Sequence, residues 1–175
     1  MTSVNAFIAA LAAARIGRTF NFYRDGAAAE LRRERLAAYL ERRRRAPYLL
    51  VGEAAGYRGA RVSGIPFTSE RQLSGTGPAE ATATIVHRVL VELGLEDCVL
   101  LWNLVPTHPG TTSSNRRPSR AEVAGGRPFL DALADGRRAI PIGRLAQAAL
   151  GGDFVRHPSH GGAQPFQRGL ADLLG

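Results

Sequence analysis

The sequence predicts an α/β protein with a three-layer α/β/α arrangement around a central, mostly parallel sheet of four strands. Short apolar runs at Tyr48 to Val51, Val99 to Trp102, Ala139 to Ile142 and Phe154 to Val155 alternate with segments whose apolar residues recur at helical spacing. That alternation is the pattern of parallel strands joined by right-handed crossovers. Three segments also read as buried strands running straight into polar loops: YLLVGEAAGYRG from Tyr48, CVLLWNLVPTHPG from Cys98 and DFVRHPSHGG from Asp153. Length points the same way, since 175 residues with 45% hydrophobic content and no shift in composition fit one domain spanning 1–175.

Each element has its own signal. A helix is expected over about Ser3 to Arg15, followed by an irregular aromatic stretch with Phe20, Phe22 and Tyr23. A second helix runs from about Ala27 to Arg44, with Leu36 and Leu40 one turn apart, and leads into the first strand. After a long loop, Gly77-Pro78 starts a helix with Glu80 in its first turn and a stripe of Ile85, Val86, Val89, Leu90 and Leu93. The second strand and another long loop follow, and Ser119 with Glu122 then forms a capping box for a helix that ends before Gly136. The short third strand passes through Gly143 into a helix with Leu145 and Leu150. The fourth strand precedes a closing helix over about Pro165 to Leu174.

Composition excludes several classes of function. The lone cysteine, Cys98, rules out a disulfide framework and a cysteine-built zinc or iron-sulfur site. The histidines His87, His108, His157 and His160 show no paired metal spacing, and no Walker loop, GxGxxG or GxSxG is present. No metal and no cofactor is therefore expected. No run approaches the roughly 20 apolar residues that span a bilayer. The first helix has no basic lead or cleavage site, so a cytoplasmic, nucleoid-associated monomer with no membrane partner is expected. Net charge is +8, and all 23 basic residues are arginine. Such a balance fits a partner with a phosphate backbone, and the absence of lysine leaves only the terminal amine for imine chemistry.

Loops at the carboxyl ends of parallel strands converge on one crevice, which brings Glu53, Asn103 and His157 together. The two connections Gly52 to Gly77 and Asn103 to Pro118 are longer than compact domains use without a functional reason. They carry Ser63, Thr68, Ser69, Ser74 and Thr76 in one and Thr107 and Thr111 to Ser114 in the other, with Arg58, Arg61, Arg71, Arg116 and Arg117 among them. Small hydroxyls, glycine amides and arginines are the groups that hold phosphate oxygens, although a solvated loop has the same composition. The arginines Arg42 to Arg45 close a helix and read as a solvated face that suits its dipole.

The segments VGEAAG, GIPFTSE, WNLVP, NRRPS with Glu122, IPIGRLA and RHPSHGG occur in the order seen in the uracil-DNA glycosylase superfamily. From Tyr48 onward the chain resembles that family, and most closely its bacterial members without an iron-sulfur cluster. The resemblance implies a monofunctional DNA glycosylase that hydrolyses the N-glycosidic bond of uracil in single- or double-stranded DNA and leaves an abasic site. The target base flips into a pocket because its bond is otherwise unreachable. Asn103 matches the asparagine that donates to uracil O4 and accepts from N3-H, and Phe67 matches the aromatic that stacks on the base. His157 matches the histidine that donates to O2 of the leaving anion. Ser159 and the Gly161 and Gly162 amides suit a phosphate clamp at the helix start, and Arg58 is expected to bind phosphate as well. Residues His160 to Phe166 match the loop that inserts a wedge into the vacated stack.

Departures from the best-known branch concern water and thymine. Where that branch has GQDPYH, Ala54 replaces the aspartate that orients water and Gly56 replaces the tyrosine that blocks the thymine methyl. Water activation falls by default to Glu53, which has a second reading as a structural carboxylate, and Tyr57 stands one position late at the uracil-binding edge. Two other functions remain open from sequence: a glycosylase for another deaminated base such as hypoxanthine, or a non-catalytic binder of damaged or single-stranded DNA, which would need neither His157 nor Glu53.

Overall fold

The computed structural model describes residues 3–175. Its sheet has three parallel strands in the order β2-β1-β3: β1 (Tyr48–Ala54), β2 (Val99–Val105) and β3 (Arg138–Pro141). Tyr48 pairs with Val99 on one side and with Arg138 on the other, so the amino ends of the strands are level. β2 is buried at all seven positions, as expected of a parallel strand covered on its faces. It lies at the end of the sheet order, and the backbone amide of Leu101 donates to the Tyr39 hydroxyl at 2.7 Å, which satisfies a donor that the sheet does not use.

Among the described residues eight α-helices surround the sheet: α1 (Val4–Ala13), α2 (Ala29–Arg42), α3 (Ala60–Ser63), α4 (Glu70–Ser74), α5 (Ala81–Glu92), α6 (Arg120–Ala134), α7 (Arg144–Leu150) and α8 (Ala163–Leu174). α6 packs on β2, α7 on β1 and β3, and α1 on α2. The stripe on α5 buries Val86, Val89 and Leu90, and α8 buries Phe166 and Leu170. Each such apolar side chain contributes about 1.5–3 kcal/mol to folding.

The expected fourth strand is not formed. Val155 makes only an isolated parallel bridge to Ile142, through Gly143 N to Val155 O at 2.8 Å and Val155 N to Pro141 O at 3.0 Å. Asp153 and Arg156 flank only two apolar residues, and Pro158 removes a donor shortly after, so the ladder stops and the chain turns toward the strand ends. Two other expectations shift. β1 and β2 each run three residues further than the apolar runs suggested, which puts Glu53 and Asn103 on strands rather than loops. The helix expected at Gly77-Pro78 starts at Ala81, because Arg71 binds the carbonyls of Gly77 and Pro78 and folds that segment back onto α4.

The aromatic stretch after α1 has a structural task. Phe20 pairs with His108 in an antiparallel bridge, Phe22 and Tyr23 are buried, and the Tyr23 hydroxyl donates to Gly64 O at 2.9 Å. These contacts tie both long loops to the same support.

Candidate active site

The carboxyl ends of β1 and β2 and the loop after Val155 enclose a pocket of about 270 Å³. It brings together six of the residues expected from sequence: Glu53, Ala54, Phe67, Asn103, His157 and Ser159. It also brings in Glu80, Asn115 and Arg116, to which the sequence reading gave no place in a base pocket. Tyr57, Arg58, Gly161 and Gly162 do not line it.

Asn103 and Phe67 form one wall. Asn103 is buried, and among the described residues its carboxamide has no hydrogen-bond partner, so its donor and acceptor are available to something in the pocket. Phe67 is held at φ 51°, a left-handed conformation that costs a non-glycine residue of the order of 1–3 kcal/mol. Its ring edge lies against Gly52, where any Cβ would strike it, while the same position lies 3.0 Å from Asn103 Oδ1. Glycine at 52 therefore lets the ring and the amide meet. The turn is held from behind: Ser63 Oγ donates to Thr68 O at 2.6 Å, Thr68 Oγ1 donates to Pro66 O at 3.1 Å, and Thr68 Oγ1 lies 3.1 Å from His87 Nε2.

His157 follows the Val155 bridge. Its Nδ1 accepts from the Ser159 backbone amide at 3.2 Å and lies 2.8 Å from Ser159 Oγ. An amide can only donate, so Nδ1 is the acceptor and the neutral ring carries its proton on Nε2. Burial, helped by nearby His160, holds the His157 imidazole below the ordinary histidine range and favours that neutral form.

Two carboxyl groups share the pocket. Burial raises the half-buried Glu53 above the usual glutamate value, with Arg117 opposing the shift. Glu80 is raised by burial alone. Instead of capping α5, Glu80 turns its side chain into the pocket, beside Gly56 and Gly59. From sequence Glu80 is expected in a helix turn, and only the fold brings its carboxyl against Gly56 and Gly59.

Arg116 reaches the pocket rim because Glu122 holds it, with contacts of 2.8 and 2.6 Å to the two carboxylate oxygens. Glu122 also accepts from the amides of Arg18 at 3.1 Å and Ser119 at 2.8 Å, so the capping box doubles as the arginine's support. Asn115 Oδ1 accepts from Tyr57 N at 2.9 Å, and buried His108 lies 2.7 Å from Ala55 O and 2.8 Å from Thr111 O. Through these contacts the second long loop fixes the segment after Glu53.

Several phosphate-binding expectations change. Ser63, Thr68, Ser69 and Thr107 are buried, with Ser63 and Thr68 bonded to carbonyls and Ser69 to Gln72, because a loop packed into the core must satisfy its own polar groups. The Gly162 amide donates to Ser159 O at 3.0 Å and its Cα lies against the His157 carbonyl, so Gly162 shapes the turn rather than offering a free donor. Tyr57 lies outside the pocket, with the Arg58 guanidinium 5.4 Å from its ring centroid. Among the described residues no group of three His, Cys, Asp or Glu side chains is placed to hold a metal, and no helix is long and apolar enough to cross a membrane.

The fold is similar to that of wild-type SMUG2 from Pedobacter heparinus, with a TM-score of 0.69 over 99% of this chain and 95% of that one, at 14% sequence identity. No curated protein matches the sequence. The family model described as the uracil DNA glycosylase superfamily matches residues 41–172, a span that contains every residue lining the pocket. With most of its length and its whole pocket inside that match, the chain belongs to the uracil DNA glycosylase superfamily.

Proposed function

We propose that this chain is a monofunctional glycosylase that removes uracil from DNA and leaves an abasic site. The observation that carries the reading is the unpartnered Asn103 carboxamide in a pocket with Phe67 and a histidine whose tautomer is fixed. Asn103 Nδ2-H₂ donates to O4 and Oδ1 accepts from N3-H, a pairing that cytosine reverses at both atoms. Phe67 stacks on the base. As the C1′-N1 bond breaks, its electron pair leaves on the uracil ring, and His157 Nε2-H donates to O2 where the charge gathers. Glu53, ionised, accepts the proton of a water whose oxygen adds to C1′; burial brings its basicity closer to the working pH. Ser159, Gly161 and Arg58 in this reading contact the flanking phosphates, and Arg116 and Arg117 add positive charge to that contact. In this reading residues 1–175 act as a single domain and as a monomer, on DNA, in the cytoplasm at the nucleoid.

The test is single-turnover excision from oligonucleotides carrying uracil, thymine opposite guanine, or hypoxanthine, developed with alkali. Uracil is expected to be released without added metal, and His157→Ala to slow release by about two to three orders of magnitude. Release of hypoxanthine but not uracil would assign another deaminated base, and binding without any alkali-labile site would make the chain a non-catalytic binder. Base reading is tested by Asn103→Asp, which loses the donor to O4 and is expected to lower uracil excision about 100-fold or more. A folded variant with the wild-type rate would remove Asn103 from base reading.

A further inference from the structure

The carboxyl group of Glu80 takes the volume that side chains at positions 56 and 59 would occupy. A Cβ built on Gly56 would collide with Glu80 Oε1, and one built on Gly59 would collide with Oε2. The two glycines lie on the segment leaving β1, and Glu80 reaches them from the residue before α5, so the pocket is closed on this side by a side chain from a different part of the chain. Among the described residues the carboxyl has no hydrogen-bond or ion-pair partner. A glutamate placed only for stability would cap α5 or pair with one of the many arginines; this one does neither.

We propose that Glu80 is a specificity-determining residue, forming the wall that limits the size of the base the pocket admits. This inference rests on the glycosylase reading above and answers a question that Gly56 raises. With no side chain at 56 and Tyr57 outside the pocket, the segment after Glu53 lines it only with the small side chains of Ala54 and Ala55, too short to reject a larger base. Glu80 supplies that bulk from the other side. Burial favours the uncharged carboxyl, which presents an O-H and a carbonyl oxygen rather than a charge to the incoming ring. A wall made this way discriminates by size, and one carbon more or less in a close-fitting site is worth roughly 10- to 200-fold.

The experiment compares the wild-type chain with Glu80→Gln and Glu80→Ala. Single-turnover excision of uracil, thymine and hypoxanthine, each opposite guanine, gives the discrimination ratios, and titration of free uracil and thymine followed by ligand-observed NMR reads the pocket without turnover. Glu80→Gln preserves the shape and is expected to keep the uracil-to-thymine ratio within about threefold. Glu80→Ala opens the wall and is expected to raise thymine or hypoxanthine excision relative to uracil by about tenfold or more, and to strengthen free thymine binding relative to uracil. A Glu80→Ala protein with wild-type ratios and unchanged relative binding would overturn the proposal, as would a Glu80→Gln shift equal to that of alanine, since charge rather than bulk would then be the cause. Should the alanine variant unfold, Gly56→Ala displaces the same carboxyl and is expected to shift the ratio as well; a wild-type ratio there would also count against the wall. If the wild-type protein leaves uracil in DNA, the glycosylase reading fails on its own, while the free-base titration still decides whether Glu80 limits the pocket; binding of neither base by any variant would remove both.

Discussion

Glu122 is a buried carboxylate engaged by Arg116 and by two backbone amides. The Arg116 guanidinium, then the Ser119 and Arg18 amides, hold its carboxyl down to about 2. A depressed carboxylate stabilises the fold above its ordinary value and loses that contribution as the pH falls from about 4.5 toward about 2. The full shift would correspond to roughly 3 kcal/mol, and screening of Arg116, whose side chain is 41% exposed, lowers this to about 2. Glu122→Ala also strands two amides, so it is expected to cost about 3 kcal/mol at neutral pH and to lower Tm by about 6–12 °C, read by thermal melting. The pocket histidine and carboxylate give a second expectation. His157 titrates below its ordinary 6.5 and Glu53 above its ordinary 4.5, so excision should hold as the pH falls through 6.5 and fail before 4.5. Single-turnover profiles of His157→Ala and Glu53→Gln check this, since each variant should retain only the other group's limb; a wild-type limb above 6.5 would contradict the neutral-histidine reading.

Among the elements, α6 shows what a helix must give up to place a side chain. A Cβ at Gly126 would collide with the Leu104 carbonyl of β2, so this glycine sets how close the helix lies to the strand beside Asn103. Alanine gains up to about 1 kcal/mol in helix propensity, yet the obstacle is backbone and cannot rotate away, at a cost of about 1–3 kcal/mol. Gly126→Ala is therefore expected to lower stability and, by moving α6 with Glu122 and Arg116, to slow excision as well; denaturant melts and single-turnover rates measure the two effects. The cap of α6 was legible because Ser119 and Glu122 satisfy a local rule, and the helical stripes were legible because packing repeats with the helix period. Phe154 and Val155 misled because two apolar residues meet the composition of a strand without its length. Glu80 was illegible for a different reason: its role depends on the missing side chains at Gly56 and Gly59, a through-space relation that periodicity does not encode.

Across the whole molecule, two clusters of arginine stand at opposite ends of the sheet. Arg58, Arg116 and Arg117 lie with the loops at the carboxyl ends of the strands, whereas Arg42 to Arg45 precede Tyr48 and so lie at the amino ends, with Arg43 paired to Asp97. A net charge of +8 attracts DNA whichever cluster makes the contact, but of the two only the first lies at the end of the sheet that holds the pocket. Chemistry is constrained at the same scale, because a chain without lysine is expected to leave the abasic site intact, and substantial borohydride trapping of a protein-DNA adduct would contradict that. Binding should weaken steeply with salt, since each neutralised phosphate releases counterion and contributes about 0.9 to the slope of log binding constant against log salt on duplex DNA. In a His157→Ala background, Arg58→Ala and Arg117→Ala should each reduce that slope by about 1. Replacing Arg42, Arg44 and Arg45 together should leave it unchanged, because these exposed residues precede β1 at the end of the sheet opposite the pocket. If the triple variant instead lowers the slope by about 3 while the loop variants do nothing, DNA crosses the opposite end of the molecule, and the pocket described here is not where it opens the duplex.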